Sequence, residues 1–149
     1  MSDPMTQTQL ITDQGFINDD WSNGFIPWEN ATETNWSRDA GYGLDLPNTV
    51  YGDQVLPFFP FIAMIRIAFP SSADGRGFSI AKRLRSLGYQ GRLRAFGHVL
   101  SDQYAMARRT GFDEVEITTE QALRQPQDEW IFRANWQAHD YQSRLRLNA

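Results

Sequence analysis

Residues Phe61-Ile62-Ala63-Met64-Ile65-Arg66-Ile67-Ala68-Phe69 form a nearly unbroken apolar run, flanked by Pro60 and Pro70. A short run of this kind, rich in β-branched residues and lacking alternation, predicts a central strand of a parallel sheet, which is covered on both faces. The run is short for a helix, and the two prolines suit the ends of a strand. This strand constrains everything after it, because parallel neighbours need a crossover long enough to hold a helix.

The following segments have that form. After the loop Ser71 to Gly77, Ile80, Ala81, Leu84 and Leu87 fall on one helical face, predicting a helix over 78–87. Gly88 at C′ and Tyr89 at C″ make a Schellman-type stop. Arg92 to Gly97 reads as the next strand. Ser101 is the expected N-cap of a helix from Asp102 to Thr110, with Asp102 at the positive end of its dipole. Glu114 to Ile117 reads as a third strand, and Thr118 with Gln121 gives a capping-box pattern for a helix through about Arg124. A small repeat supports this pattern: Arg85-Ser86-Leu87-Gly88-Tyr89 and Arg108-Arg109-Thr110-Gly111-Phe112 share the form Arg-x-x-Gly-aromatic, each ahead of a strand. Successive βα units with right-handed crossovers predict an α/β fold with a small, mainly parallel sheet, either open or a partial barrel.

The flanks complete one expected domain over 1–149. Residues 1–42 comprise a hairpin from Leu10 to Ile17, turning at Asp13 to Gly15, and an aperiodic arm. Trp21, Trp28 and Trp36 predict that the arm docks by its indoles; an aromatic surface for a partner is the alternative. Residues 43–125 form the βα core, opening with a short strand Gly43 to Leu46. Residues 126–149 form an aromatic tail with Trp130, Ile131, Phe132, Trp136 and Tyr141, expected to dock as a helix or arm or to form a dimer face.

Charge is unevenly distributed. Residues 1–53 carry nine acids against Arg38, whereas residues 74–112 carry eight bases against Asp74 and Asp102. Two readings follow: intramolecular complementarity, or a basic surface for an anion or acidic partner. A net charge of −4 and arginines scattered over several elements disfavour nucleic acid. There is no apolar run of membrane-spanning length, and the start MSDPMTQTQL has no signal-peptide pattern, so a cytoplasmic protein is expected. The chain has no cysteine, so its own thiolates build no iron–sulfur cluster, zinc site or disulfide.

Ligands of parallel α/β domains bind beyond the carboxyl ends of the strands. Asp74, Gly75, Arg76, Gly77 and Ser79 form a loop there that suits an anion, through backbone N–H groups and the Arg76 guanidinium. The competing reading is that Asp74 caps its own turn and pairs with Arg76. Arg94 and Gln103 are further candidate ligand-binding residues. His98 with Asp102 is a candidate acid–base pair, and Asp74 a third candidate catalytic group. Neither a P-loop nor a GxGxxG fingerprint is present, no cofactor motif is recognisable, and the two histidines lack metal-ligand spacing; no role is assigned to His139. Arg85 and Arg108 are expected to cap helix C-terminal carbonyls.

The string from Phe69 to Glu116 is similar to the signature of a bacterial family of unknown function, domain-of-unknown-function family nine-three-four. Asp74-Gly75-Arg76, Ser79, Leu84-Arg85, Gly88-Tyr89, Gly91, Leu93-Arg94-Ala95, Gly97, Val99-Leu100, Asp102-Gln103 and Arg109-x-Gly111-Phe112-Asp113 carry the resemblance. His98 stands where that pattern has an acidic or polar residue. Members are described as oxidoreductases associated with assimilatory sulfite reduction. The resemblance implies a partner of sulfite reductase or of its electron donor, or a small enzyme on a sulfur- or phosphate-bearing metabolite. In the enzyme reading, Arg76 and Arg94 hold the anion. A self-sufficient sulfite reductase is excluded, since multi-electron reduction needs a redox centre that this chain cannot build alone.

Overall fold

The computed structural model describes residues 7–136. The apolar run is strand β5 (Ile62–Phe69), and it lies inside a seven-stranded open sheet. The other strands are β1 (Thr8–Thr12), β2 (Gly15–Ile17), β3 (Ile26–Pro27), β4 (Tyr42–Leu46), β6 (Arg92–Gly97) and β7 (Glu114–Thr118). Their spatial order is β2-β1-β7-β6-β5-β4-β3. From β3 to β7 all neighbours pair parallel, while the β1–β2 hairpin is antiparallel and joins antiparallel to β7. The sheet is therefore α/β, mainly parallel and open rather than a partial barrel.

The helices between strands are α1 (Gly52–Val55), α2 (Arg76–Ser86) and α3 (Tyr104–Thr110), while α4 (Thr119–Arg124) and α5 (Gln127–Arg133) follow β7. Because β4, β5, β6 and β7 are consecutive neighbours, right-handed crossovers put their helices on one face, and α1, α2 and α3 pack side by side. On that face Ile65, Ile67 and Phe69, Leu93 and Ala95, and Val115 and Ile117 meet Phe78, Leu84, Ala107, Phe112 and Trp130 in one buried core. Gly77 lets α2 approach closely, since a Cβ there would fall 2.5 Å from the Phe69 ring.

Both Arg-x-x-Gly-aromatic segments stop their helices in the same way. Gly88 and Gly111 have φ of 99° and 118°, and Tyr89 N–H reaches Leu84 O as Phe112 N–H reaches Ala107 O. Arg85 donates to Tyr89 O, and Arg108 donates to Phe112 O. Each arginine thus binds the carbonyl of its own aromatic, one residue past the glycine stop, rather than a carbonyl of its own helix's last turn as expected.

Two expected helix starts are different. Helix α2 begins two residues before the predicted Phe78, because Asp74 Oδ1 accepts the Arg76 N–H. Ser101 is not an N-cap. A 3₁₀ turn, Ser101–Gln103, precedes α3, the Gln103 side chain accepts the Leu100 N–H, and the Ser101 hydroxyl donates to Glu129. Thr118 does cap α4, accepting from Gln121 N–H.

The arm is more ordered than its composition suggests. It supplies β3 and a 3₁₀ turn, Trp28–Glu33, and docks by its indoles: Trp28 and Trp36 both pack on Phe58. In the tail Trp130 is buried, while His139 and Tyr141 lie outside the described residues. No helix among the described residues is long and apolar enough to cross a membrane.

Candidate functional site

Strand alternation sends Asp45, Arg66, Arg92, Arg94, Glu114 and Glu116 to the sheet face opposite the helices. Register places Asp45, Arg66, Arg94 and Glu114 in one row across β4, β5, β6 and β7. Arg66 and Arg94 are direct neighbours of like charge, which is unfavourable by itself. Glu116 resolves this by accepting from both, at 3.2 Å and 3.0 Å. Arg94 also donates to Glu114 at 2.6 Å and to both oxygens of Asp19, while Arg66 is bidentate on Asp45. The arm closes this face: Asp20 reaches Arg92, and the rings of Phe25 and Phe96 lie 3.8 Å and 4.4 Å from the Arg66 guanidinium. Gly43 allows the closure, since a Cβ there would lie 2.4 Å from Gly24 O.

The charge asymmetry of the sequence is spent largely inside the molecule. Asp13, Asp19, Asp20, Asp45 and Asp53 pair respectively with Arg108, Arg94, Arg92, Arg66 and Arg83. Hydrogen bonds from Arg94 hold the Asp19 carboxyl below its ordinary value. Burial raises that of Asp13, but hydrogen bonds from Tyr104 and Arg108 outweigh it and leave a net lowering.

Arg94 is therefore not where an anion site beside Arg76 would need it. Its side chain is fully buried on the charged face and already meets three carboxylates. Arg76 lies at the start of α2, beyond the carboxyl end of β5. Its Nε and Nη2 bind Asp74, which also accepts from Asn48 at 2.8 Å. These contacts, that with Arg76 foremost, hold the Asp74 carboxyl well below the usual carboxylate range. The Asp74–Arg76 pairing, the competing reading of this loop, is thus present. Arg76 stays 62% exposed, and among the described residues no protein group accepts from its Nη1.

Arg76 and Ser79 line a cavity of about 430 Å³ with Val50, Tyr51, Asp53 and Arg83. Gly75 is the residue before α2, and Gly77 serves packing against Phe69. Gln103 spans two loops, donating to Ser72 O and accepting from Leu100 N–H. Asp102 binds Arg133 at 3.0 Å, so the anticipated His98–Asp102 pair is replaced by an ion pair to α5. His98 lines a different cavity, of about 630 Å³, with Ser71, Ser72, Gln121, Arg124 and Gln125. Among the described residues, no group of His, Asp and Glu is arranged to hold a metal ion.

Sequence reasoning missed the charged face and Arg124. The first had a signal in the period-2 charges of Arg92-Leu93-Arg94 and Glu114-Val115-Glu116. The second ends a short helix that the sequence marks by its capping pattern alone, which carries no ligand signal.

No curated protein and no solved structure matches the chain. The model of a bacterial protein family of unknown function, DUF934, matches residues 43–146, which include Arg76, His98, Arg124 and the core arginines and leave out the arm. The chain belongs to this family.

Proposed function

We propose that this is a cytoplasmic accessory protein of assimilatory sulfite reduction, which binds sulfite reductase or its electron donor through an anionic group received at Arg76. The observation that carries the reading is the half-used Arg76 guanidinium, exposed on the rim of an amphipathic cavity walled by Tyr51, Val50, Ile80 and Arg83. An arginine fixed on one edge by Asp74 presents its other edge in a set direction, which suits recognition of a carboxylate or oxyanion. Exposed Tyr51 beside it adds apolar area of the sort that anchors protein interfaces. The link to sulfite reduction rests on the resemblance carried by Phe69 to Glu116.

A small enzyme acting on a sulfur- or phosphate-bearing metabolite has less support. Asp74 is held too far below neutrality for a general base, and Asp102 is committed to Arg133. The test is interferometry of the full chain against purified sulfite reductase and against its electron donor, at two salt concentrations. Saturable binding that weakens about tenfold in Arg76→Ala, and also weakens with salt, is the expected result. Absence of wild-type binding to both partners refutes the proposal.

A further inference from the structure

The crevice around His98 has no part in that reading, and its chemistry differs from that of the other cavities. The Arg76 cavity contains Asp53; the groove between Trp28 and Phe96 contains Glu29 and Asp45; and the two cavities beside α5 both contain Asp102. Among the described residues, the crevice of Pro70, Ser71, Ser72, His98, Leu100, Gln121, Arg124 and Gln125 has no carboxylate in its lining, in a chain with an excess of acids. Arg124 does face Glu120, but at 3.8 Å and with Glu120 81% exposed, a weak and screened pairing.

The frame of this crevice is fixed independently of any occupant. Two loops and helix α4 meet beyond the carboxyl ends of β5, β6 and β7, and three glutamines join them. Gln103 donates to Ser72 O at 2.9 Å, Gln121 to Val99 O at 2.6 Å, and Gln125 accepts from Ser101 N–H at 3.1 Å. Gly97, with φ of 123°, brings β6 against β5 so tightly that a Cβ would lie 2.5 Å from Phe69 O, and His98 N–H bonds that same oxygen. This turn directs the chain from β6 over the Ser71-Ser72 loop. Among the described residues the His98 imidazole, the Ser72 hydroxyl and the Arg124 guanidinium have no hydrogen-bond partner in the frame. A guanidinium, an imidazole that keeps an N–H donor in either charge state, and serine hydroxyls on a rigid frame together suit a tetrahedral oxyanion.

We infer that this crevice is a second binding site, distinct from the Arg76 cavity, for the phosphoryl or sulfuryl group of a small molecule. Arg124 supplies the charge, and His98 and Ser72 the directional donors. The volume of about 630 Å³ leaves room for the body of an ester beyond the oxyanion itself.

The experiment is an amide NMR titration of the full chain with inorganic phosphate, inorganic sulfate and glycerol 3-phosphate, at constant ionic strength set by chloride. Saturable shifts centred on Ser72, His98 and Arg124 are expected, weakened about tenfold or more in Arg124→Gln and in His98→Gln. Both positions are exposed, so each variant should keep the dispersed spectrum of the fold, which the same measurement reads. Arg76→Ala should leave the titration unchanged, so this site can stand or fall apart from the proposed partner contact. Shifts centred on Gly75 to Ser79, shifts that do not saturate with any probe, or unchanged affinity in both Arg124→Gln and His98→Gln would overturn the inference.

Discussion

On one face of the sheet, Ile65, Ile67, Phe69, Leu93, Ala95, Val115 and Ile117 meet the helices in a continuous apolar core. On the other, the same strands present Asp45, Arg66, Arg92, Arg94, Glu114 and Glu116, closed over by an arm that brings Asp19, Asp20 and Phe25. The apolar face is stabilised by burial, which is non-directional and tolerant of small shifts. The charged face depends on register: a one-residue slip of any central strand would turn its charges into the helix core. A buried ion-pair network adds little net stability over an apolar replacement, yet breaking it is costly because unpaired charge stays buried. The charged face therefore specifies the pairing, and the apolar face supplies most of the folding free energy.

The largest losses are expected from one substitution on each face. Phe69→Ala should cost about 3–5 kcal/mol in chemical denaturation by opening a cavity against Phe78 and Phe112. Arg94→Met should cost about 3–5 kcal/mol by leaving Glu114 and Glu116 short of a cation. A small loss in Arg94→Met beside a large one in Phe69→Ala would show that the charged face is dispensable. Gly97→Ala comes next, at about 1–3 kcal/mol by the same assay, because φ of 123° and the nearby Phe69 carbonyl both oppose a side chain.

A smaller effect concerns acid. The Asp19 carboxyl lies below its ordinary value of 3.8 in the folded protein, so its contribution is present above that pH and is lost as pH falls through the lower folded value. Asp19→Asn should flatten this part of the pH–stability curve and leave the neutral-to-alkaline limb in shape. Least of all, Asp53→Asn should leave the thermal midpoint unchanged, since the Asp53–Arg83 pair is exposed on both sides.

The helix face was readable because its signals are local. The spacing of Ile80, Ala81 and Leu84, the glycine stops at Gly88 and Gly111 and the proline-bounded strand each lie within about a dozen residues. The charged face was not, because the partners of Arg92 and Arg94 in the arm stand more than seventy residues away in a segment without periodicity. The Asp74–Arg76 pair is legible because its partners stand two residues apart. The commitment of Asp102 to Arg133 and the glutamine frame around His98 depend on how loops converge, which no single segment encodes.

The acidic N-terminal segment is committed to the arginines of the core. A double-mutant cycle on Asp19 and Arg94, using Asp19→Asn and Arg94→Met in chemical denaturation at neutral pH, measures that coupling directly. A favourable coupling of about 1–3 kcal/mol is expected, declining only modestly with added salt because Arg94 is fully buried. Strictly additive losses would contradict it, and would return the acidic segment to the role of a surface for other molecules.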